Sequence, residues 1–253
     1  EGTNEIDRNI DGAVTNILSA EGRITYEHDA ALGYLKRAFT TNSDVRYDYD
    51  GLGRLKTVSV YKRNGTNLPS AEVTTNTYTQ LGSLETVYLP NGTRTAYEYN
   101  RLNQLTNMAQ FNGAGQLLAR YAYTVASDGQ RLAATETRRE SGGTYSTNWL
   151  SWSNDALRRL VKEVSSSTLA ALNYTNSYVY DLVGNRLWKT NVSATGTATL
   201  GYTYNTNDQL VVESSTASGS FTNGYDANGS LTNRSSTTET NWFAYDLEGR
   251  MTG

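Results

Sequence analysis

The chain has 253 residues, with 22 Lys and Arg against 25 Asp and Glu, one histidine and no cysteine. A net charge of −3, spread without blocks, excludes the basic stripe that nucleic-acid binding needs. The missing cysteines exclude a disulfide framework and any Cys-based metal site or nucleophile, and no stretch approaches the ~18–20 apolar residues of a spanning helix. Ordinary apolar content is low while tyrosines number 19, so the rings are expected to carry much of the packing, with their hydroxyls needing partners.

Along the chain, Ile6-Asp7-Arg8-Asn9-Ile10-Asp11-Gly12 comes first and matches the opening of a calcium loop, D-x-N-x-D-G. Its twelfth place is Leu18, where a bidentate acid is required, so Asp11 and Gly12 read as turn residues. Tyr26-Glu27-His28-Asp29 is a weak first copy of a recurring phrase, and His28 stands where that phrase has its second aromatic. The phrase is clear in Tyr47-Asp48-Tyr49-Asp50-Gly51-Leu52-Gly53-Arg54-Leu55 and again in Tyr97-Glu98-Tyr99-Asn100-Arg101-Leu102-Asn103-Gln104-Leu105. It returns as Tyr178-Val179-Tyr180-Asp181-Leu182-Val183-Gly184-Asn185-Arg186-Leu187, with one extra residue before the Leu. Tyr202-Thr203-Tyr204-Asn205 and Phe243-Ala244-Tyr245-Asp246-Leu247-Glu248-Gly249-Arg250-Met251 complete the series.

Degenerate copies place Tyr78, Tyr123, Asn154 and Tyr225 in the second aromatic slot. The slots then recur about every 24 residues, the size of one supersecondary unit in a stacked array. Tyr-x-Tyr sets both rings on one face of a strand. Asp50, Asp181 or Asp246 starts an Asx-type turn, Gly53, Gly184 and Gly249 supply a positive φ, and Leu55 or its counterpart opens the next strand. Asn64-Gly65, Pro90-Asn91-Gly92 and Asn112-Gly113 mark turns between the phrases. Residues 154–164 look briefly helical, but their place in the repeat argues for strand. The expected fold class is all-β: tandem antiparallel β-hairpins forming one continuous spiralling strip, a single array over residues 1–253 with no separate domain.

Catalysis finds little material. His28 has no nucleophile-elbow sequence to accompany it, and the acidic residues sit mostly in turns. Gly51-Leu52-Gly53 lies in a hairpin turn with no helix to follow, so it is not a phosphate loop. The expectation is no enzyme, no cofactor and no metal. The signature residues Tyr47, Tyr49, Asp50, Gly53, Leu55, Tyr97, Tyr99, Tyr178, Tyr180, Asp181, Gly184, Tyr202, Tyr204, Tyr245, Asp246 and Gly249 are structural, most simply hairpin packing.

The Tyr-Asp-x-x-Gly-Arg-Leu phrase, clearest over residues 47–55, 178–187 and 245–251, resembles the YD repeat of the RHS family. That family includes bacterial polymorphic toxins, insecticidal Tc toxin subunits and animal teneurins. The resemblance implies a hairpin strip that spirals into a hollow shell, enclosing a toxic domain or serving as an adhesive scaffold. Bacterial members often carry an Asp-Pro-x-Gly segment linked to self-cleavage, whereas Pro69 and Pro90 here each follow Leu. The expected role is therefore a scaffold segment of a large secreted or surface-exposed protein, cut from a longer chain. Its expected partners are the rest of that chain or other copies, with a glycan or cell-surface partner also open and no membrane span. Alternatives are an extracellular fibre or a glycan-binding adhesive module, although the Gly-Trp clusters of known glucan-binding repeats are absent around Trp149, Trp152, Trp188 and Trp242.

Overall fold

The computed structural model describes residues 5–20, 22–246 and 248–252. Their regular structure is almost entirely strand: β1 (Glu5–Arg8), β2 (Val14–Ser19), β3 (Gly22–His28), β4 (Leu35–Phe39), β5 (Asp44–Tyr49), β6 (Leu55–Arg63), β7 (Thr66–Tyr78), β8 (Leu84–Tyr88), β9 (Arg94–Tyr99), β10 (Leu105–Phe111) and β11 (Leu117–Val125). There follow β12 (Arg131–Arg139), β13 (Tyr145–Asn154), β14 (Leu160–Ser167), β15 (Tyr174–Tyr180), β16 (Arg186–Ser193), β17 (Gly196–Tyr204), β18 (Leu210–Ser215), β19 (Gly219–Tyr225), β20 (Leu231–Ser235) and β21 (Thr240–Trp242). One 3₁₀ turn, Ala170–Leu172, interrupts them among the described residues. The protein is all-β. Residues 154–164 resolve as the end of β13, a loop and the start of β14, not a helix.

The chain divides into two compact units, residues 1–121 and 122–253. In the first, each strand from β1 to β10 pairs antiparallel with the next in sequence. In the second, the strands from β12 to β21 do the same. Such a meander has little interior. Among the described residues, Ala109, Ala119, Ala134 and Tyr202 are the buried apolar ones, accompanied by buried Asp44, Ser59, Asn107, Ser165 and Asn176. With so thin a core, hydrogen bonds and half-buried rings bear more of the stability than in a two-layer domain.

Most phrases of the repeat close a hairpin with a five-residue loop of one design; the loop from Asp29 to Tyr34 has six residues, and at Asp181 the Gly184 amide donates to Oδ1 in place of the carbonyl. The Asp50 amide donates to the Arg54 carbonyl at 2.9 Å, and the Gly53 amide returns to the Asp50 carbonyl at 2.9 Å. Asp50 Oδ1 accepts the amides of Leu52 and Arg54 at 2.9 and 3.0 Å, the Asx turn in full. The fourth position is left-handed whatever its residue: φ is 77° at Gly53, 59° at Asn103, 58° at Asp208 and 64° at Arg158. Non-glycine residues there carry the αL penalty, so the loop geometry outranks local preference. Asn9 Oδ1 accepts from the Asp11 and Ala13 amides, which makes the calcium-like opening another copy of this loop.

Gly53 is further constrained, because a Cβ there would lie 2.3 Å from Tyr34 Oη, whose ring packs on Tyr49 with centroids 4.9 Å apart. Gly115, at φ 78°, has open space around it. Gly115→Ala should therefore cost about 1 kcal/mol from backbone strain alone, and Gly53→Ala, at nearly the same angle, more. Thermal unfolding of the two variants checks the order; equal costs would show that the Tyr34 contact contributes nothing.

Candidate functional site: the interlock between repeats

The hairpins are joined to one another by side chains at the end of the sheet where the loops lie. Within each phrase the register slips by one residue: Asp48 faces Thr57, but Tyr49 faces Leu55, leaving Lys56 as the bulged residue. Val179 likewise faces Trp188 while Tyr180 faces Arg186, and Thr203 faces Val212 while Tyr204 faces Leu210. Bulges increase local twist and break the ladder. On the other side of β6, the ladder to β7 stops at Thr57 and Thr75. The Leu55 carbonyl lies beyond that last rung.

Tyrosine supplies the rung that the backbone lacks. Tyr78 Oη donates to the Leu55 carbonyl at 2.7 Å, Tyr49 to Leu35 at 3.0 Å, and Tyr99 to Leu84 at 2.8 Å. In the second unit Tyr180 donates to Leu160 at 2.8 Å, Tyr204 to Arg186 at 3.1 Å, and Tyr225 to Leu210 at 2.9 Å. In these six phrases the second tyrosine thus binds the residue that opens the second strand of the phrase before it. At the long phrase that residue is Arg186 and not Leu187, so the extra position is absorbed by starting the strand one residue earlier. Asn76 and Asn223 donate to the same carbonyls, of Leu55 and Leu210, filling the second lone pair.

Arginine ties loop to loop. Arg54 Nε bonds Asp50 Oδ2 at 2.7 Å, its guanidinium lies 4.6 Å from the centre of the Tyr78 ring, and Nη1 reaches the Thr79 carbonyl at 3.4 Å. Arg159 repeats this with Asp155 at 2.7 Å, the Tyr180 ring at 4.9 Å and the Asp181 carbonyl at 2.8 Å. At Asn100 and Asn205 the fifth residue is Gln and the two amides pair, Asn100 with Gln104 and Asn205 with Gln209, each at 2.7 Å, whereas the Asn9 loop ends on Ala13.

The first tyrosines share the face of the second. Tyr202 is buried beneath the Arg186 guanidinium, 4.4 Å from its ring centre, and Tyr178 lies 5.9 Å from the same cation. Tyr47 and Tyr97 sit in β5 and β9 opposite Val58 and Met108. Tyr245 forms an isolated bridge with Met251, and Asp246 Oδ1 accepts the Glu248 and Arg250 amides across Gly249, φ 74°. Leu247 lies outside the described residues. His28 ends β3 opposite Leu35, the place that Tyr49 takes opposite Leu55. Sequence reasoning missed the arginine and the two asparagines. The signal was present in the pairing of Asp with Arg and of Asn with Gln at the first and fifth loop positions.

These partners shift the loop acids. Asp50 is held below the usual carboxylate range first by the Arg54 amide, and Asp246 likewise by the Arg250 amide. At Asp155 and Asp181 burial is the largest influence and pushes upward, but the backbone and side-chain donors of Arg159 and Asn185 and the other loop amides together outweigh it, so both acids lie below the usual range. The Arg37 side chain lowers Asp44, and Lys36 leads the set of donors that brings Asp29 to about 2. Burial raises Tyr49, Tyr99 and Tyr204 above the ordinary phenol value.

No family model and no curated protein matches the chain. Among solved structures it is similar to a Tc holotoxin pore of Photorhabdus luminescens, at 12% identity over 98% of this chain and 19% of that one, with a TM-score of 0.43. It is similar to TcdB2–TccC3 without its hypervariable C-terminal region, at 14% identity over 98% and 19% with a TM-score of 0.30. A porin-like protein from Bacteroides uniformis aligns at 12% identity over 90% of this chain and 91% of that one, with a TM-score of 0.35. The chain spans about a fifth of the length of the toxin chains.

Removing the hydroxyl in Tyr180→Phe should cost about 1–2 kcal/mol, because the Leu160 carbonyl is left without its donor. Tyr180→Ala, which also removes the ring under Arg159, should cost about 3 kcal/mol or more. Denaturant unfolding measures both, and an unchanged midpoint for Ala would mean that the ring contributes no packing.

The pH dependence has two edges. Folded-state carboxylate values are lowered, so their contribution is complete above the unfolded value of about 3.9 and is lost as pH falls through the folded values. Folded-state tyrosine values are raised, so theirs is complete below about 10 and is lost as pH rises through the folded values. Melting temperature should be level from about pH 5 to 9 and fall at both ends, the alkaline fall accompanying phenolate absorbance.

Proposed function

We propose that this chain is a structural scaffold, a wall segment of a large secreted or surface-exposed protein of the RHS and YD-repeat kind, enclosing or presenting a cargo domain. One observation carries the reading: the loop acids and six of the second-position tyrosine hydroxyls are engaged in joining a repeat to itself and to its neighbour. Tyr180 Oη is spent on Leu160, Arg159 on Asp155 and Asp181, and Asp181 Oδ1 on the amides of its own loop. A loop acid held in this way is a poor general base, which favours a role without catalysis. The phrase's resemblance to the YD repeat supports the same reading.

An array of this kind is completed by more of the same. Strand β21 is exposed along its length, and Arg250 keeps its Asp246 partner while 73% of its side chain is open to solvent. The purified 253-residue chain should therefore associate, and sedimentation that shows only a monodisperse monomer would argue against a wall segment. Electron microscopy of the protein that carries this segment tests the role itself. The expected image is a curved hairpin wall around an internal volume, and a solid rod or filament would overturn it.

A further inference from the structure

The uniformity of the array makes one departure stand out. At the rung just before the second aromatic slot, each pair elsewhere with a described register contains at least one residue that is not apolar, as in Asp48–Thr57, Thr77–Thr86 and Ser153–Lys162. At this rung in the second unit the pair is Val179–Trp188, and both side chains stand about half open, at 52% and 50%. The repeat does not need a tryptophan here, because threonine fills the slot at Thr57 and Thr86.

The next strand makes room for the ring. Trp188 faces Gly201 across the ladder, and a Cβ on Gly201 would lie 2.7 Å from Trp188 Cζ3 and 2.8 Å from Ser214 Oγ. Other repeats carry side chains at this place, Thr75 opposite Thr57 in the first unit and Ser177 opposite Lys162 in the repeat before Trp188. A glycine that lets an aromatic ring lie down on a sheet is a fitted feature. Beside the ring is a cleft of 430 Å³ between two successive loops, with Asp181, Asn185, Asn205 and Asp208 among its walls. Asn185 Nδ2 fixes the Asp208 carboxylate through Oδ1 at 2.8 Å.

We propose that Trp188, laid across Gly201 beside Val179, is the stacking platform of a binding site for a neutral glycan. A pyranose offers an apolar C–H face to an aromatic ring and a rim of hydroxyls to the lone pairs that the Asp208 carboxylate keeps beyond its bond from Asn185. No Lys or Arg lines the cleft, which disfavours phosphate, nucleic acid and acidic sugars. Leu182, Val183 and Val192 of the same hairpin are exposed as well, but they do not line the cleft, whose polar walls suit a rim of hydroxyls better than an apolar protein surface. The site stands apart from the scaffold role and does not depend on it.

The test uses the purified chain, in whatever assembly it takes up, on an array of neutral oligosaccharides that includes cellohexaose and chitohexaose, with tryptophan fluorescence as a second readout. At least one neutral oligosaccharide should bind and perturb the fluorescence. Trp188→Thr, which installs the residue found at Thr57, should lose binding by about tenfold or more with its melting temperature kept. Gly201→Ala, which tilts the ring without removing it, should weaken binding several-fold, while Trp149→Ala on another exposed tryptophan leaves it intact. Failure of every neutral oligosaccharide to bind overturns the proposal, as does binding that survives Trp188→Thr. Self-association abolished by Trp188→Thr, with no glycan bound, would assign the ring to contact between copies and overturn it as well.

Discussion

The structure depends on a rung that the backbone does not make. Each loop carries a bulge, the bulge twists its hairpin, and the ladder to the next hairpin then stops short of the loop. The carbonyls of Leu55, Leu160 and their equivalents are stranded by that geometry. An unpaired, partly buried carbonyl costs about 1–3 kcal/mol. A tyrosine is long and stiff enough to cross the opening and carries one donor at its tip, so a single residue type closes it and covers it with a ring. The same contact, at 2.7–3.1 Å, recurs at six junctions.

The loop acids and arginines form a second tie on top of the first. Asp50 organises its own loop with one oxygen and orients Arg54 with the other, and Arg54 then covers the ring of Tyr78 in the following repeat. Asp, Arg and Tyr are therefore one device spread over two repeats. Its exchange for Asn and Gln at Asn205 and Gln209 keeps the loop and gives up the reach to the neighbour, so the junctions differ in strength while the geometry stays constant.

Much of this was legible in the sequence because period-two alternation and turn chemistry are local. Tyr-x-Tyr, the Asx residue and the left-handed fourth position are each decided within a few residues. The partner of the tyrosine hydroxyl was not legible, since a backbone carbonyl some 14 to 23 residues away leaves no mark in the identity of its residue. Leu55 is named in the motif for its side chain, yet its carbonyl makes the contact. Arg186 shows the consequence: once the strand starts one residue early, the carbonyl is used whatever side chain it bears. Nor could the sequence show why Arg158 tolerates a positive φ, because the loop's hydrogen bonds, not the residue's preference, fix that angle.

A repeat also supplies its own controls. In an ordinary domain a half-exposed tryptophan has no reference position and calls for no explanation. Here Thr57 and Thr86 occupy the place of Trp188 and show what the fold requires there. The requirement is small, so the larger ring answers to something other than packing. The paired loss of a side chain at Gly201 strengthens the point: two changes on adjacent strands agree in laying one flat surface open. An array built from interchangeable units keeps its shape through Tyr, Asp and Arg. It is then free to vary the residues between them, and that is where a surface of this kind acquires whatever it recognises.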